Sequence, residues 1–173
     1  MKIVLLDLEQ TVIDDWEHMN LLLENIEKIR WAIQHTGCKL GLMSWAVWNE
    51  ADKETFKRRL QGSLEELLKM KFSEELIFSM HDFSDIILKR KHKWLSRDDM
   101  FDLFGKEECL LQLLRLEHFG KAAKVFLIDD VVDHNLQFTK GNSKVRFINV
   151  DDPFYKHWNI NETVYDWGSW GED

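Results

Sequence analysis

Two groups of residues have the types and settings for chemistry on a charged substrate. The first is Asp7-Leu8-Glu9-Gln10-Thr11, where one acid directly follows the apolar run Ile3–Leu6 and a second lies two positions on. The other is Asp129-Asp130, which ends the apolar run Val125–Ile128 and has Asp133 close behind. A carboxylate at the end of a buried strand is costly unless a cation compensates it, and two brought together ask for one. Oxygen-only ligation of this kind suits Mg²⁺, which takes one or two carboxylates along with waters and phosphate oxygens. Ser44 ends a third apolar run, Lys39–Met43, and Asp151-Asp152 a fourth. The histidines show no HxxxH or HExxH spacing, and Cys38 and Cys109 form no CxxC, so the pattern is not that of a zinc site.

Such residues can meet only if the elements bearing them lie side by side. Lys2–Asp7 reads as a buried strand, and Met19, Leu22, Leu23, Ile26, Ile29 and Ile33 then recur at helical spacing up to Gly37. Cys38–Met43 is a second strand, Asn49–Met70 a helix with a weak point at Gly62, and Glu75–Met80 a short strand. Phe83–Phe119 is mostly helical with breaks near Ser96 and Gly105, and strands follow at Lys124–Ile128 and Lys144–Val150. Strands alternating with helices predict an α/β, Rossmann-like three-layer sandwich with a mainly parallel sheet and a small helical cap or insert. In an open parallel sheet the carboxyl ends of the strands share one edge, where ligands bind, so Asp7 and Asp129 are expected to converge there.

Composition narrows the classes. A chain of 173 residues, 45% hydrophobic and 31% charged, is expected to fold as one domain with a core large enough to need no disulfide or zinc. There is no window of about 18 uncharged apolar residues for a membrane span, and the Ile3–Leu6 run is too short for a signal peptide. With two scattered cysteines, a cytoplasmic location is the expectation. The net charge of −8 argues against general attraction to nucleic acid or anionic membrane. Lys89-Arg90-Lys91-His92-Lys93, with Arg97 beyond, is a local exception that a solvated helix face also explains. Eight tryptophans are an unusual number; Trp45 and Trp48 directly follow Ser44, and Trp158, Trp167 and Trp170 lie among acids near the end.

Taken in order, these residues resemble the motifs of the haloacid-dehalogenase-like (HAD) superfamily over roughly residues 1–150. Asp7-Leu8-Glu9-Gln10-Thr11 is similar to its DxDGT motif, Ser44 to its strand-end Ser or Thr, and Asp129-Asp130 with Asp133 to its acidic motif. The lysine of the remaining motif corresponds to Lys106, ahead of the Glu107–Phe119 segment, with Lys93 as the other candidate. The resemblance implies phosphoryl chemistry through an aspartyl-phosphate. Asp7 would be the nucleophile and Glu9 the acid and base, with Thr11, Ser44 and Lys106 binding phosphate. Mg²⁺ would be held by Asp7, the backbone carbonyl of Glu9 and Asp129, with Asp130 beside them. It also implies a core over 1–150 with a helical insert at about 45–105; beyond it, the Trp-rich acidic extension, 151–173, is expected from its tryptophans to pack on that core.

Two departures fall in the catalytic loop. Glu9 stands where the family has Asp, and the added methylene displaces a carboxyl by about 1 Å, a shift that matters to rate. Gln10 stands where the family has Gly, so a turn requiring positive φ would be strained. Two function classes follow. One is a Mg²⁺-dependent phosphomonoester hydrolase acting on a nucleotide, another phosphorylated small molecule or a phosphorylated macromolecule, with Trp45 and Trp48 stacking on a ring or packing in the core. The other is a catalytically weakened module that binds a protein or nucleic acid through the tail or the basic 89–97 stretch.

Overall fold

Along β1 (Lys2–Leu6), Val4 and Leu6 enter one hydrophobic cluster while Ile3 and Leu5 enter another. This period of two is what a strand buried on both faces imposes. The same division holds in β4 (Lys124–Asp129), where Phe126 and Ile128 face the first cluster and Val125 and Leu127 the second. A computed structural model describes residues 1–90, 96–120, 123–131 and 145–160. In it β1 pairs with β4 and with β2 (Lys39–Met43), β2 with β3 (Phe72–Phe78), and β4 with β5 (Val145–Asn149). Every pairing is parallel, and the order is β3-β2-β1-β4-β5.

Helices cover both faces, which makes the three-layer α/β sandwich. Over the first cluster lie α1 (Leu23–Ile33) and a continuous helical run, α2 (Glu50–Phe56), a π-helical segment Lys57–Gln61 and α3 (Gly62–Leu68). Over the second lie α4 (Met80–Arg90), α5 (Arg97–Leu103) and α6 (Lys106–Arg115). The chain builds outward from β1 to β2 and β3, then returns to place β4 on the other side of β1. That reversal is a topological switch point, and it lies between the strands that lead into Asp7 and end at Asp129.

Several boundaries differ from the sequence pattern for physical reasons. Helix α1 starts at Leu23 because Met19 has φ 55°, Leu21 bridges to Ile13, and the Leu22 N–H is taken by the Val12 carbonyl. It ends at Ile33, and the left-handed residue just beyond is His35 (φ 61°), two positions before Gly37 (φ 69°). The weak point near Gly62 is realised as the π-helical turn immediately before it. Strand β3 begins at Phe72 and carries an irregularity: Leu40 and Leu42 of β2 pair with Phe72 and Ile77. The extra residues reverse the alternation, so Phe72 and Ile77 enter the same cluster. Gly41 sits opposite this irregularity, where a Cβ would come within 2.6 Å of the Leu76 carbonyl and 2.7 Å of Leu5 Cδ2.

The 45–105 stretch is mostly helical and carries β3 into the main sheet. Of the terminal extension, the described part packs on the core: Trp158 is 4% exposed and Ile160 is buried. Arg146 Nη1 donates to the carbonyls of Trp158 and Asn159. Lys93, Asp133, His134, Lys144, Trp167 and Trp170 lie outside the described residues. Cys38 and Cys109 are free thiols. Among the described residues no helix is long and apolar enough to cross a membrane.

Candidate active site

Lys106 is the first residue of α6, a position where the helix dipole disfavours a cation, and it is only 3% exposed. Two carboxylates account for its burial. Its Nζ donates to Asp7 Oδ1 at 3.0 Å, although the two residues are 99 positions apart, and pairs with Asp129 Oδ2. Asp7 leaves the end of β1 with its backbone N–H held by the Ile128 carbonyl of β4, so the sheet ladder itself brings the first and fourth strand ends together. Asp129 is fully buried, and its Oδ1 accepts from the backbone N–H groups of Asp130 and Val131.

The charges of this cluster are interdependent. Burial pushes the Asp7 carboxyl above the ordinary carboxylate range, and the Lys106 charge offsets that only in part. At Asp129 burial pulls the same way, but the charge and hydrogen bond of Lys106, with the hydrogen bonds from Asp130 and Val131, outweigh it and hold the group below its usual value. Burial works against the Lys106 charge, yet Asp7 and Asp129 together raise its pKa. Asp130 is pushed up to about 7, by burial first and then by the hydrogen bond and charge of Asp129.

The Asp7 loop is tied by its own backbone. The Leu8 carbonyl accepts from the N–H groups of Thr11, Val12 and Ile13, which forces the reversal after β1. Gln10 sits in that reversal at φ 61°, the left-handed conformation for which glycine is suited, and its side-chain amide donates to the Asp14 carbonyl at 2.7 Å. Thr11 is fully buried and its Oγ1 donates to Asp7 Oδ2 at 3.2 Å, so its hydroxyl orients the carboxylate. Glu9 is half-buried; its Oε2 accepts from the Trp16 N–H at 3.0 Å, which staples the loop and leaves Oε1 for other work.

Ser44 directly follows β2 and is 1% exposed. Its Oγ accepts from the Ala46 N–H at 3.2 Å, and the carbonyl of its neighbour Met43 lies 3.5 Å from Lys106 Nζ. The β2 end therefore borders the same cluster. Asp151 and Asp152 do not join it. They form a turn after β5, with the Asp151 N–H on Asn149 Oδ1 and the Phe154 N–H on Asp152 Oδ1. Sequence reasoning did not find the Trp16 N–H, the Met43 carbonyl or Asn149, whose Nδ2 donates to the Asp130 carbonyl. Two of these are backbone groups, which carry no sequence signal. Asn149 was discoverable as the polar end of the last strand, in register with Asp129.

The donor set fits a divalent cation. Carboxylate oxygens of Asp7, Asp129 and Asp130 lie within 4.8 Å of one another. They are hard oxygen donors, and their charge exceeds what the single Lys106 ammonium neutralises, which suits Mg²⁺ better than a softer metal. Glu9 has its carboxylate outside this group, with Oε2 on the Trp16 N–H. A second cluster, Asp14, Asp15 and His18, has its carboxylates engaged with the N–H groups of Asp15, His18 and Asn20.

No protein-family model, curated protein or solved structure matches this chain.

Proposed function

We propose that this protein is a Mg²⁺-dependent phosphomonoester hydrolase that works through an aspartyl-phosphate on Asp7, in the manner of the HAD superfamily its motifs resemble. The observation that supports this most strongly is the junction of Asp7, Lys106 and Asp129 at the switch point of the sheet. Catalysis would begin with an Asp7 carboxylate oxygen attacking phosphorus while the bond to the leaving oxygen breaks. Glu9 Oε1 supplies the proton to that oxygen, then takes one from the water that cleaves the Asp7–phosphate bond and releases inorganic phosphate. Lys106 and Ser44 bind the non-transferred oxygens, where charge is spread in the transition state, and Thr11 keeps Asp7 in line. Bound by Asp7, the Glu9 carbonyl, Asp129 and Asp130, Mg²⁺ would neutralise charge between nucleophile and substrate.

A second reading has a specific observation in its favour. Glu9 Oε2 is already committed to Trp16 and Gln10 holds a left-handed conformation, features that suit a catalytically weakened module that binds a protein or nucleic-acid partner. Mg²⁺-dependent hydrolysis of a generic aryl phosphate by wild type and Asp7→Asn separates the two. The hydrolase reading expects activity in wild type and its loss in the variant. No activity in correctly folded wild type, or equal activity in both, overturns it.

A further inference from the structure

We propose that Trp45 is a stacking platform for a planar ring carried on the phosphomonoester, so that the preferred substrates are aryl or nucleoside monophosphates. This deepens the hydrolase reading and rests on it for the position of the phosphate. Trp45 is 38% exposed, whereas Trp158 is 4% exposed. Trp31 is equally open at 40%, so it is the placement of Trp45 directly after Ser44, together with the aromatic backing beneath it, that singles it out. Trp48 is stacked on it at 5.9 Å and 25°, and Phe101 makes a T-shaped contact with it at 5.1 Å. Trp48 is itself backed by Phe101 at 4.9 Å and His81 at 5.5 Å. The aromatic group is thus a supported shelf, and the part of Trp45 that stays exposed offers a sequence-tolerant surface for any ring with a π-face.

The shelf is both rigid and close to the cluster. The turn bearing Trp45 is closed by Ser44, whose Oγ accepts from the Ala46 N–H and whose carbonyl accepts from the Val47 N–H. The Val47 and Trp48 carbonyls then accept from the Met80 and His81 N–H groups at the start of α4. Trp45 follows two residues after Met43, whose carbonyl is 3.5 Å from Lys106 Nζ. Two residues span at most about 7 Å, so a ring esterified to a phosphate held by Lys106 and Ser44 starts within reach of the indole. Preorganisation of this kind lowers the ordering cost of binding.

The test compares kcat/KM for phenyl phosphate, uridine 5′-monophosphate and glycerol 3-phosphate in Mg²⁺, using wild type, Trp45→Ala and Trp45→Phe. Saturation-transfer NMR on the ring protons of the first two compounds is recorded in parallel. The ratio of ring-bearing to ringless kcat/KM is expected to fall by about 5- to 150-fold in Trp45→Ala and to be largely retained in Trp45→Phe. A better phenyl phosphate marks a ring directly on the ester oxygen, and a better nucleotide marks a ring across a ribose. Hydrolysis whose ratio ignores Trp45→Ala overturns the subsite and leaves the hydrolase standing. If folded protein hydrolyses none of the compounds, the hydrolase reading fails. Trp45-dependent saturation of the ring protons then supports the subsite alone, and its absence overturns both.

Discussion

Replacing Lys106 by Met keeps most of the side-chain volume and removes the one cation between two buried carboxylates. Lys106 is 3% exposed, its partners Asp7 and Asp129 are 8% and 0% exposed as side chains, and solvent screening therefore offers little relief. Removing one partner of a buried ion pair costs about 3–5 kcal/mol, and two stranded charges put the expectation in the upper part of that range. For a domain of this size the midpoint of thermal unfolding should fall by on the order of 10 °C. The loss must depend on pH. In the wild type Asp129 is held below its usual value, so its contribution to stability is present above the ordinary carboxylate range and lost on acidification. In Lys106→Met both carboxyls lose their counter-charge and their folded values rise, so stability falls as pH increases. Urea unfolding at pH 5 and pH 8 should show the larger difference from wild type at pH 8, and adding Asp7→Asn should recover part of it. A loss below about 1 kcal/mol that is the same at both pH values would refute the reasoning, because it would mean that the three charges are not mutually buried.

Three further outcomes follow from individual contacts. Gly41→Ala should cost about 1–3 kcal/mol in urea unfolding, since its Cβ meets the Leu76 carbonyl and two side-chain carbons in a packed sheet; an unchanged midpoint would show that β3 yields freely. Glu9→Gln keeps an oxygen for the Trp16 N–H, so stability should stay within about 0.5 kcal/mol, while hydrolysis, which needs a titratable group there, drops by about 10²-fold or more. Glu9→Ala should lose stability as well, and equal kinetics for Glu9→Gln and wild type would remove Glu9 from the chemistry. Asp130, at about 7, must shed its proton to help bind a dication, so calorimetric Mg²⁺ affinity should rise from pH 6 to pH 8 with proton release. In the metal-free protein the same raised value means that this group's contribution to stability declines as pH climbs through 7; a pH-independent affinity would contradict the first part.

Much of the architecture was legible in the order of residues. Val125–Ile128 and Ile3–Leu6 read as buried strands because both faces of each are apolar, and such strands occur in parallel sheets under helices. Ser96 and Gly105 marked real helix starts: Ser96 Oγ accepts from the Asp99 N–H, and Gly105 holds the extended N-cap conformation. The local pattern failed where pairing, not periodicity, governs the backbone. Met19 and Leu22 have helical spacing to Ile26, yet in the loop after β1 the Met19 N–H goes to the Asp15 carbonyl, Leu21 bridges to Ile13 and the Leu22 N–H goes to the Val12 carbonyl. The start of β3 was missed because Phe72, Ser73 and Glu74 show no alternation, the signature that its irregular register removes.

The sequence by itself determined the kinds of group available: carboxylates ending buried strands, a small hydroxyl residue ending another, lysines ahead of helices, and a glutamate and glutamine in the turn after Asp7. Only the tertiary structure decided that Lys106 stands between Asp7 and Asp129, that Asp151 and Asp152 stay out of the cluster, and that Glu9 is stapled to Trp16. The reason is that residue type is local whereas electrostatic environment is not. A carboxylate acquires its charge state from whatever distant strand and helix ends the sheet order brings within a few ångströms, and that order is set by packing over the whole core.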